Sequence, residues 1–406
     1  MERLAFANWI SRLFFLSFSQ VRAVLNQKHM PDLTANSPDT RKRIAVLASG
    51  GVDSSVALHL LKKQGHSVTA FYLKVWMEGD TFFGHCPWRE DVAYVEKIAA
   101  QLGVPFEVMP MQQEYWDLII AYTLREVQAG RTPNPDMMCN KLFKFGAFYE
   151  RAGREYDAMA SGHYARTLVD AAGEVHLLTS KDPVKDQTYF LSQMQRDQIA
   201  RCIFPLGELD KAAVRRLARE ADLPNALRPD SQGICFLGKI NYRDFLSRHV
   251  GRKPGRIVEQ ASGRTLGEHE GYWFYTIGQR NGLRLSGGPW FVIDKDGPEN
   301  IIYVAHGYDP EEIYRDRIDV QAFNWISPRK SAILEGDVAE LDRTSTGASL
   351  FACKIRHSPE FFQTTVQFDS EASLTLRPQS RIAGVAKGQF AVLYAGAECL
   401  GGGVIV

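Results

Sequence analysis

The sequence predicts an α/β fold: an N-terminal doubly wound parallel sheet, followed by a small β-rich central domain and a C-terminal antiparallel β-barrel. Three observations carry this. Between Ile44 and about Ser161, short apolar runs alternate with segments of helical period, the pattern of parallel strands joined by covering helices. The first apolar run breaks at Ser49-Gly50-Gly51, and a helical pattern restarts at once. From about Tyr242 the helical period fades, and after about Pro310 apolar and polar residues alternate between closely spaced turns, as in small antiparallel barrels.

Strands are expected at residues 44–48, 68–73, 106–109 and 158–161. The helical period predicts helices over 54–63, 90–102 and 116–128, closed by Gly65, Gly103 and Gly130, because glycine takes the left-handed conformation that ends a helix. A further charged helix covers about 211–219. The stretch "HEGYWFYTIGQRNGLRLSGGPWFV" has little helical period and reads as short strands. Ile318, Val320, Ala322 and "FFQTTVQF" alternate as barrel strands do. The resulting division is an extension over 1–40, the α/β domain over 41–241, the central domain over 242–308 and the barrel over 309–406.

With 406 residues, 45% hydrophobic and 23% charged, the chain is long enough for two or three ordinary cores and is not a disordered protein. Its formal charge of +1 gives no global field, so a nucleic-acid partner has to be met by local basic patches. Cys86, Cys139, Cys202, Cys235, Cys353 and Cys399 form no CxxC pair, which argues against a structural zinc site, and no metal ligands are assigned. Scattered cysteines suit a reducing compartment. No apolar run reaches the length of a membrane span. Residues 1–29 hold one acid, Glu2, beside Arg3, Arg12 and Arg22; they read as an organellar presequence, or as an upstream stretch before a true start at Met30.

The string "SGGVDSS" places glycines between a strand and a helix that opens with Asp53, Ser54 and Ser55. Inward N–H groups, the positive helix end and two hydroxyls together suit an anion. A Walker loop needs a lysine that is missing here. A tight turn with a capped helix accounts for the same residues.

Two cysteine-bearing stretches stand out. In "GRTPNPDMMCNKLFKFG" the prolines are expected to keep Asp136 and Cys139 on a fixed loop just before a basic helix. There the helix start, Lys141 and Lys144 favour the thiolate, and Asp136 is placed to move a proton. In "RPDSQGICFLGK", Cys235 follows Gly233 and reads either as a core cysteine or, paired with Cys139, as half of a sulfur relay in which one thiol discharges a persulfide on the other.

"SGGVDSS", "GRTPNPDMMCN", "SGHYAR", "KDQTYFLS", "DSQGICFLG" and "WFYTIGQRNGL" occur in this order. Together they resemble the tRNA-specific 2-thiouridylases, a family of PP-loop ATP pyrophosphatases, from about Arg43 to the C-terminus. The resemblance implies an adenine nucleotide alpha hydrolase-like domain that binds ATP, with Mg2+ accompanying the nucleotide. ATP would be held by Leu47, Ala48, Ser49, Gly50, Gly51, Val52, Asp53 and Ser54, by the backbone near Leu73, and by Gly162. Asn134, Pro135 and Asp136 would meet a flipped wobble uridine, with Asp136 as acid or base. Cys235 would carry sulfur as a persulfide and Cys139 would be its partner nucleophile. His163, Lys185, Asp186, Gln187, Arg356, His357 and Gln389 fall on positions that contact tRNA, although His357 stands where the family often has tyrosine.

The same resemblance implies a persulfide-carrying donor protein as partner, no membrane, a monomer in the absence of tRNA, and a cytoplasmic location, or a mitochondrial or plastid one if residues 1–29 are a presequence. Rival readings are an amide-forming ATP pyrophosphatase, a nonenzymatic RNA-binding protein, and a thiolase whose iron–sulfur cluster is held by Cys86, Cys139 and Cys235.

Overall fold

The computed structural model describes residues 41–75, 88–230, 242–308, 310–335, 341–345 and 347–406. Among the described residues, seven strands come first: β1 (Arg43–Leu47), β2 (Ser67–Lys74), β3 (Phe106–Pro110), β4 (Ala158–Ser161), β5 (Ala165–Val169), β6 (Val175–Thr179) and β7 (Cys202–Ile203). Five of them form a parallel sheet in the order β3-β2-β1-β4-β7.

β1 is buried on both faces. Ile44 and Val46 point to one side, against helices α1 (Val52–Lys63) and α2 (Trp88–Leu102) and the helix α3 (Lys211–Glu220). Ala45 and Leu47 point to the other, among Tyr115, Ile119, Phe143 and Phe148. Alternate side chains of a strand face opposite ways, so a wholly apolar strand needs cover on both sides. This is the doubly wound arrangement expected from the sequence.

Helix ends follow the glycines. Gly65, Gly103 and Gly130 all have positive φ, from +60° to +87°. α1 and α2 each begin two residues earlier than the periodicity suggests. The third helix starts at Gln112 and contains a wide π-helical stretch over Trp116–Ile120. A short helix, Tyr242–His249, occupies part of the region read as strand-like; its few residues bury only Phe245 and Leu246, too short a pattern to register as periodic.

The central region is a four-stranded sheet of β8 (Gly255–Glu259), β9 (Thr265–His269), β10 (Trp290–Asp296) and β11 (Ile301–His306), ordered β10-β11-β8-β9. Nine further strands follow among the described residues: β12 (Tyr314–Arg315), β13 (Ile318–Trp325), β14 (Asp342–Arg343), β15 (Ser349–Lys354), β16 (Phe362–Ser370), β17 (Ser373–Pro378), β18 (Ile382–Ala383), β19 (Phe390–Ala395) and β20 (Glu398–Ile405). The order β13-β17-β16-β15-β19-β20 closes on itself through β13–β20 pairing, making an antiparallel barrel without free edges.

The hairpin β5–β6 leaves the α/β region and joins the barrel sheet, with Leu178 opposite Glu398. The same core that surrounds Cys139 includes Phe390, Val392 and Tyr394 of β19. The barrel and the parallel sheet thus share packed side chains.

Candidate active site

The anion loop sits at the C-terminal end of β1. Gly50 has φ +76°, and a Cβ there would lie 2.7 Å from the Asp91 carbonyl oxygen, so only glycine fits. Gly51 caps α1. Its carbonyl accepts from Ser54 Oγ at 3.1 Å and Ser55 Oγ at 2.9 Å, while Ser54 Oγ accepts from Ser49 N at 3.2 Å. The first-turn N–H groups of α1 have no acceptor in their own helix, and the helix dipole adds positive charge there. Gly162 packs so closely on this turn that a Cβ would lie 2.7 Å from Ser54 N. Leu47 and Ala48 are buried beneath the loop, and Leu73 is the penultimate residue of the neighbouring strand β2.

Asp53 belongs to a network absent from the sequence reading. Lys211 Nζ lies 2.7 Å from Asp53 Oδ1 and 2.8 Å from Asp230 Oδ1. Tyr164 OH donates to Asp53 Oδ1 at 2.9 Å. Lys185 Nζ reaches Asp230 Oδ2 at 2.8 Å, and Arg215 pairs with the same carboxylate. Burial raises the pKa of Asp230, but hydrogen bonds from Lys185 and Lys211 outweigh it and hold the carboxyl well below its ordinary value. Lys185 is therefore held in an ion pair with Asp230.

The second part of the site is the segment 131–139. The expectation of a loop at Asp136 and Cys139 is corrected: Pro135–Met138 is already helical, and Cys139 begins a π-helical segment, Cys139–Ala147. The physical cause is a capped start. Asn134 accepts from Met137 N at 3.2 Å, and Pro135 occupies the first helical position, where its missing N–H costs nothing. The wide turn frees carbonyls that Gln198 Nε2 satisfies, at 2.9 Å from Lys141 O and 3.1 Å from Phe145 O. Cys139 is 1% exposed and Asp136 half-buried. Burial lowers the pKa of Lys141, and Lys144 donates to Asn140 at 3.1 Å.

The barrel holds this segment in place. Gln389 Nε2 donates to Thr132 O at 3.1 Å and Pro133 O at 2.9 Å, and Thr132 N donates to Lys387 O at 2.8 Å. Tyr189 OH lies 3.3 Å from the carbonyls of Ile355 and Phe390 and 3.5 Å from Asn134 Nδ2. Tyr122 OH accepts from Asn134 N at 3.4 Å, and burial pushes its hydroxyl up to about 12.

Of the residues expected at tRNA, Arg356 and His357 are exposed, and the His357 ring stacks on Phe190. His357 Nε2 contacts the Asp186 carbonyl at 3.0 Å. The Asp186 side chain turns inward: it is 2% exposed, accepts from Ser180 N at 3.0 Å and Thr188 Oγ1 at 2.8 Å, and pairs with the equally buried Lys354 at 3.5 Å. Gln187 Oε1 accepts from Tyr164 N at 3.0 Å. His163 Nδ1 lies 2.7 Å from Ser161 Oγ, and burial, aided by Lys144, holds its pKa well below the ordinary value. Cys235 and Cys86 lie outside the described residues, as do residues 1–40.

Among the described residues no cluster of three His, Cys, Asp or Glu side chains is arranged to hold a metal ion, and no helix is long and apolar enough to cross a membrane. The site residues missed in the sequence are Tyr164, Lys211, Arg215, Asn225, Arg228 and Asp230. Tyr164, Arg228 and Asp230 stood inside quoted motifs; the others carry only ordinary helix or turn signals.

A parallel sheet with an anion loop at a strand end, joined to two β-rich regions, defines a nucleotide-binding enzyme of the HUP type. Residues 42–239 match the tRNA methyl transferase HUP domain, 243–306 its PRC-barrel domain and 315–405 the aminomethyltransferase beta-barrel domain. The chain is 47% identical over 365 residues to the tRNA-specific 2-thiouridylase MnmA of Parabacteroides distasonis, covering 89% of this chain and 98% of that one. It is 47% identical to the tRNA-specific 2-thiouridylase MnmA of Porphyromonas gingivalis over 364 residues, again 89% and 98% of the two chains. The tRNA-specific 2-thiouridylase MnmA 2 of Bacteroides fragilis is 46% identical over 364 residues, covering 89% of this chain and 99% of that one. The chain belongs to the tRNA-specific 2-thiouridylase family.

Proposed function

We propose that the chain is a tRNA uridine 2-sulfurtransferase that uses ATP to activate the wobble uridine. The observation that carries this reading is the near full-length identity to named 2-thiouridylases, 47% over 89% of the chain. The anion loop supports it with first-turn N–H groups at α1, and Asp136 and Cys139 support it from a capped helix start braced by the barrel.

In this reading the uridine 2-oxygen attacks the α-phosphorus of ATP and pyrophosphate leaves, held by residues 49–54. Asp136 moves the uridine proton. A terminal sulfur on Cys235, delivered by a persulfide-carrying donor protein, attacks C2, and AMP departs with the oxygen. Cys139 thiolate then attacks the Cys235 sulfur, forming a disulfide and leaving the C2–sulfur bond; an external thiol reduces that disulfide. In the other order, Cys139 discharges the persulfide first and the freed hydrosulfide attacks C2. Mg2+ accompanying the nucleotide would neutralise phosphate charge. Exposed Arg356 and His357 would meet the tRNA, and the enzyme would work as a monomer.

The test is thiolation of unmodified tRNA bearing a wobble uridine, with ATP, Mg2+ and a sulfur donor, read as retardation on a mercury-containing gel. Retardation that disappears with Cys235→Ser and with Asp136→Ala supports the assignment. No retarded tRNA from wild type, with tRNA binding intact, defeats it.

A further inference from the structure

The two carbonyls of the Gly50-Gly51 turn are satisfied by different means. That of Gly51 is taken by hydroxyls of its own helix. That of Gly50 is taken from 175 and 178 residues away, by Asn225 Nδ2 at 2.9 Å and Arg228 Nη1 at 3.0 Å. The carbonyl of Gly50 and the N–H of Gly51 belong to one planar trans peptide and point opposite ways. Holding the carbonyl toward Asn225 and Arg228 therefore aims the Gly51 N–H to the other side.

Both donors are themselves fixed. Arg228 Nη2 pairs with Asp91 Oδ1 at 2.6 Å, and its guanidinium lies over the Tyr94 ring at 4.9 Å. Asn225 is 1% exposed and also donates to Ser55 Oγ at 2.9 Å. Its own Oδ1 is buried with no hydrogen-bond partner among the described residues, a cost that an apolar side chain would avoid. The cost is explained if the amide N–H groups are needed where they are.

We infer that Asn225 and Arg228 are positioning residues that turn the Gly50 carbonyl away from the nucleotide and direct the Gly51 N–H at the pyrophosphate part of ATP. The inference rests on the ATP reading above. A carbonyl free to rotate would present partial negative charge to the phosphates and withdraw a donor.

Calorimetric titration of the full chain with ATP, pyrophosphate and AMP separates the possibilities. Arg228→Met and Asn225→Ser should each weaken ATP and pyrophosphate about tenfold or more, while AMP stays within about twofold. Arg228→Lys, which keeps charge and one donor, should recover part of the loss. Asn225→Ser makes the smaller change and keeps the test open if Arg228→Met does not fold. Variants that bind ATP and pyrophosphate as wild type does overturn the inference, as does an equal loss for AMP. Wild type that binds neither ATP nor pyrophosphate removes the ATP reading itself, and the inference with it.

Discussion

The side-chain amide of Gln389 donates to the carbonyl of Pro133 at 2.9 Å, although 256 residues separate them. This bond, with its neighbour to Thr132, fastens the barrel to the turn that leads into Asp136 and Cys139. Gln389→Leu should lower kcat for thiolation about fivefold at saturating tRNA, the effect of roughly one neutral hydrogen bond. Single-turnover rates at saturating tRNA check this. A change confined to tRNA affinity would mean that the side chain does not place the segment.

Lys354 and Asp186 form a pair that is 1% and 2% exposed. Removing one partner strands the other as a buried charge, so Lys354→Met should cost about 3 kcal/mol or more. The double variant with Asp186→Asn should recover much of that loss. Urea denaturation of the four proteins in the cycle measures it; additive effects would show that the two charges do not interact.

Asp230 has a folded pKa below its unfolded one, so it contributes stability above the unfolded value of about 3.9 and loses it as pH falls through the folded value. Lys211→Met removes one of the cations responsible. The midpoint of acid unfolding, followed by circular dichroism, should then move to higher pH. An unchanged midpoint would assign the shift to Lys185 and Arg215 alone.

Arg356 is exposed and His163 is held neutral by burial. Only the first can displace counterions from RNA. Arg356→Gln should reduce the slope of log affinity against log salt by about 1, and His163→Gln should leave it unchanged. tRNA binding across a salt series decides, and equal slopes for wild type and Arg356→Gln would take Arg356 out of the interface.

Much of the local organisation was legible because short-range physics sets it. The wholly apolar 44–48 run, the glycines at 65, 103 and 130, and the Gly-Gly turn before α1 each announce their backbone state through side-chain chemistry a few residues away. The segment at Asp136 departs from its local signals. Two prolines in quick succession argue against a helix, yet Pro135 follows an Asn cap and so begins one. Nothing local to "KDQT" reveals that Lys354 comes from the barrel to pair with the buried Asp186.

The class of fold, the anion loop and the family are legible in the chain alone, because strand and helix periods and motif strings are properties of neighbouring residues. What holds those parts in register is visible in the folded molecule: Asn225 and Arg228 on the Gly50 carbonyl, Lys211 between Asp53 and Asp230, and Gln389 on the Pro133 carbonyl. Each joins residues far apart in the chain. A hydrogen bond or ion pair forms only where folding has brought its two ends within about 3 Å, and no local pattern records which distant segment will arrive.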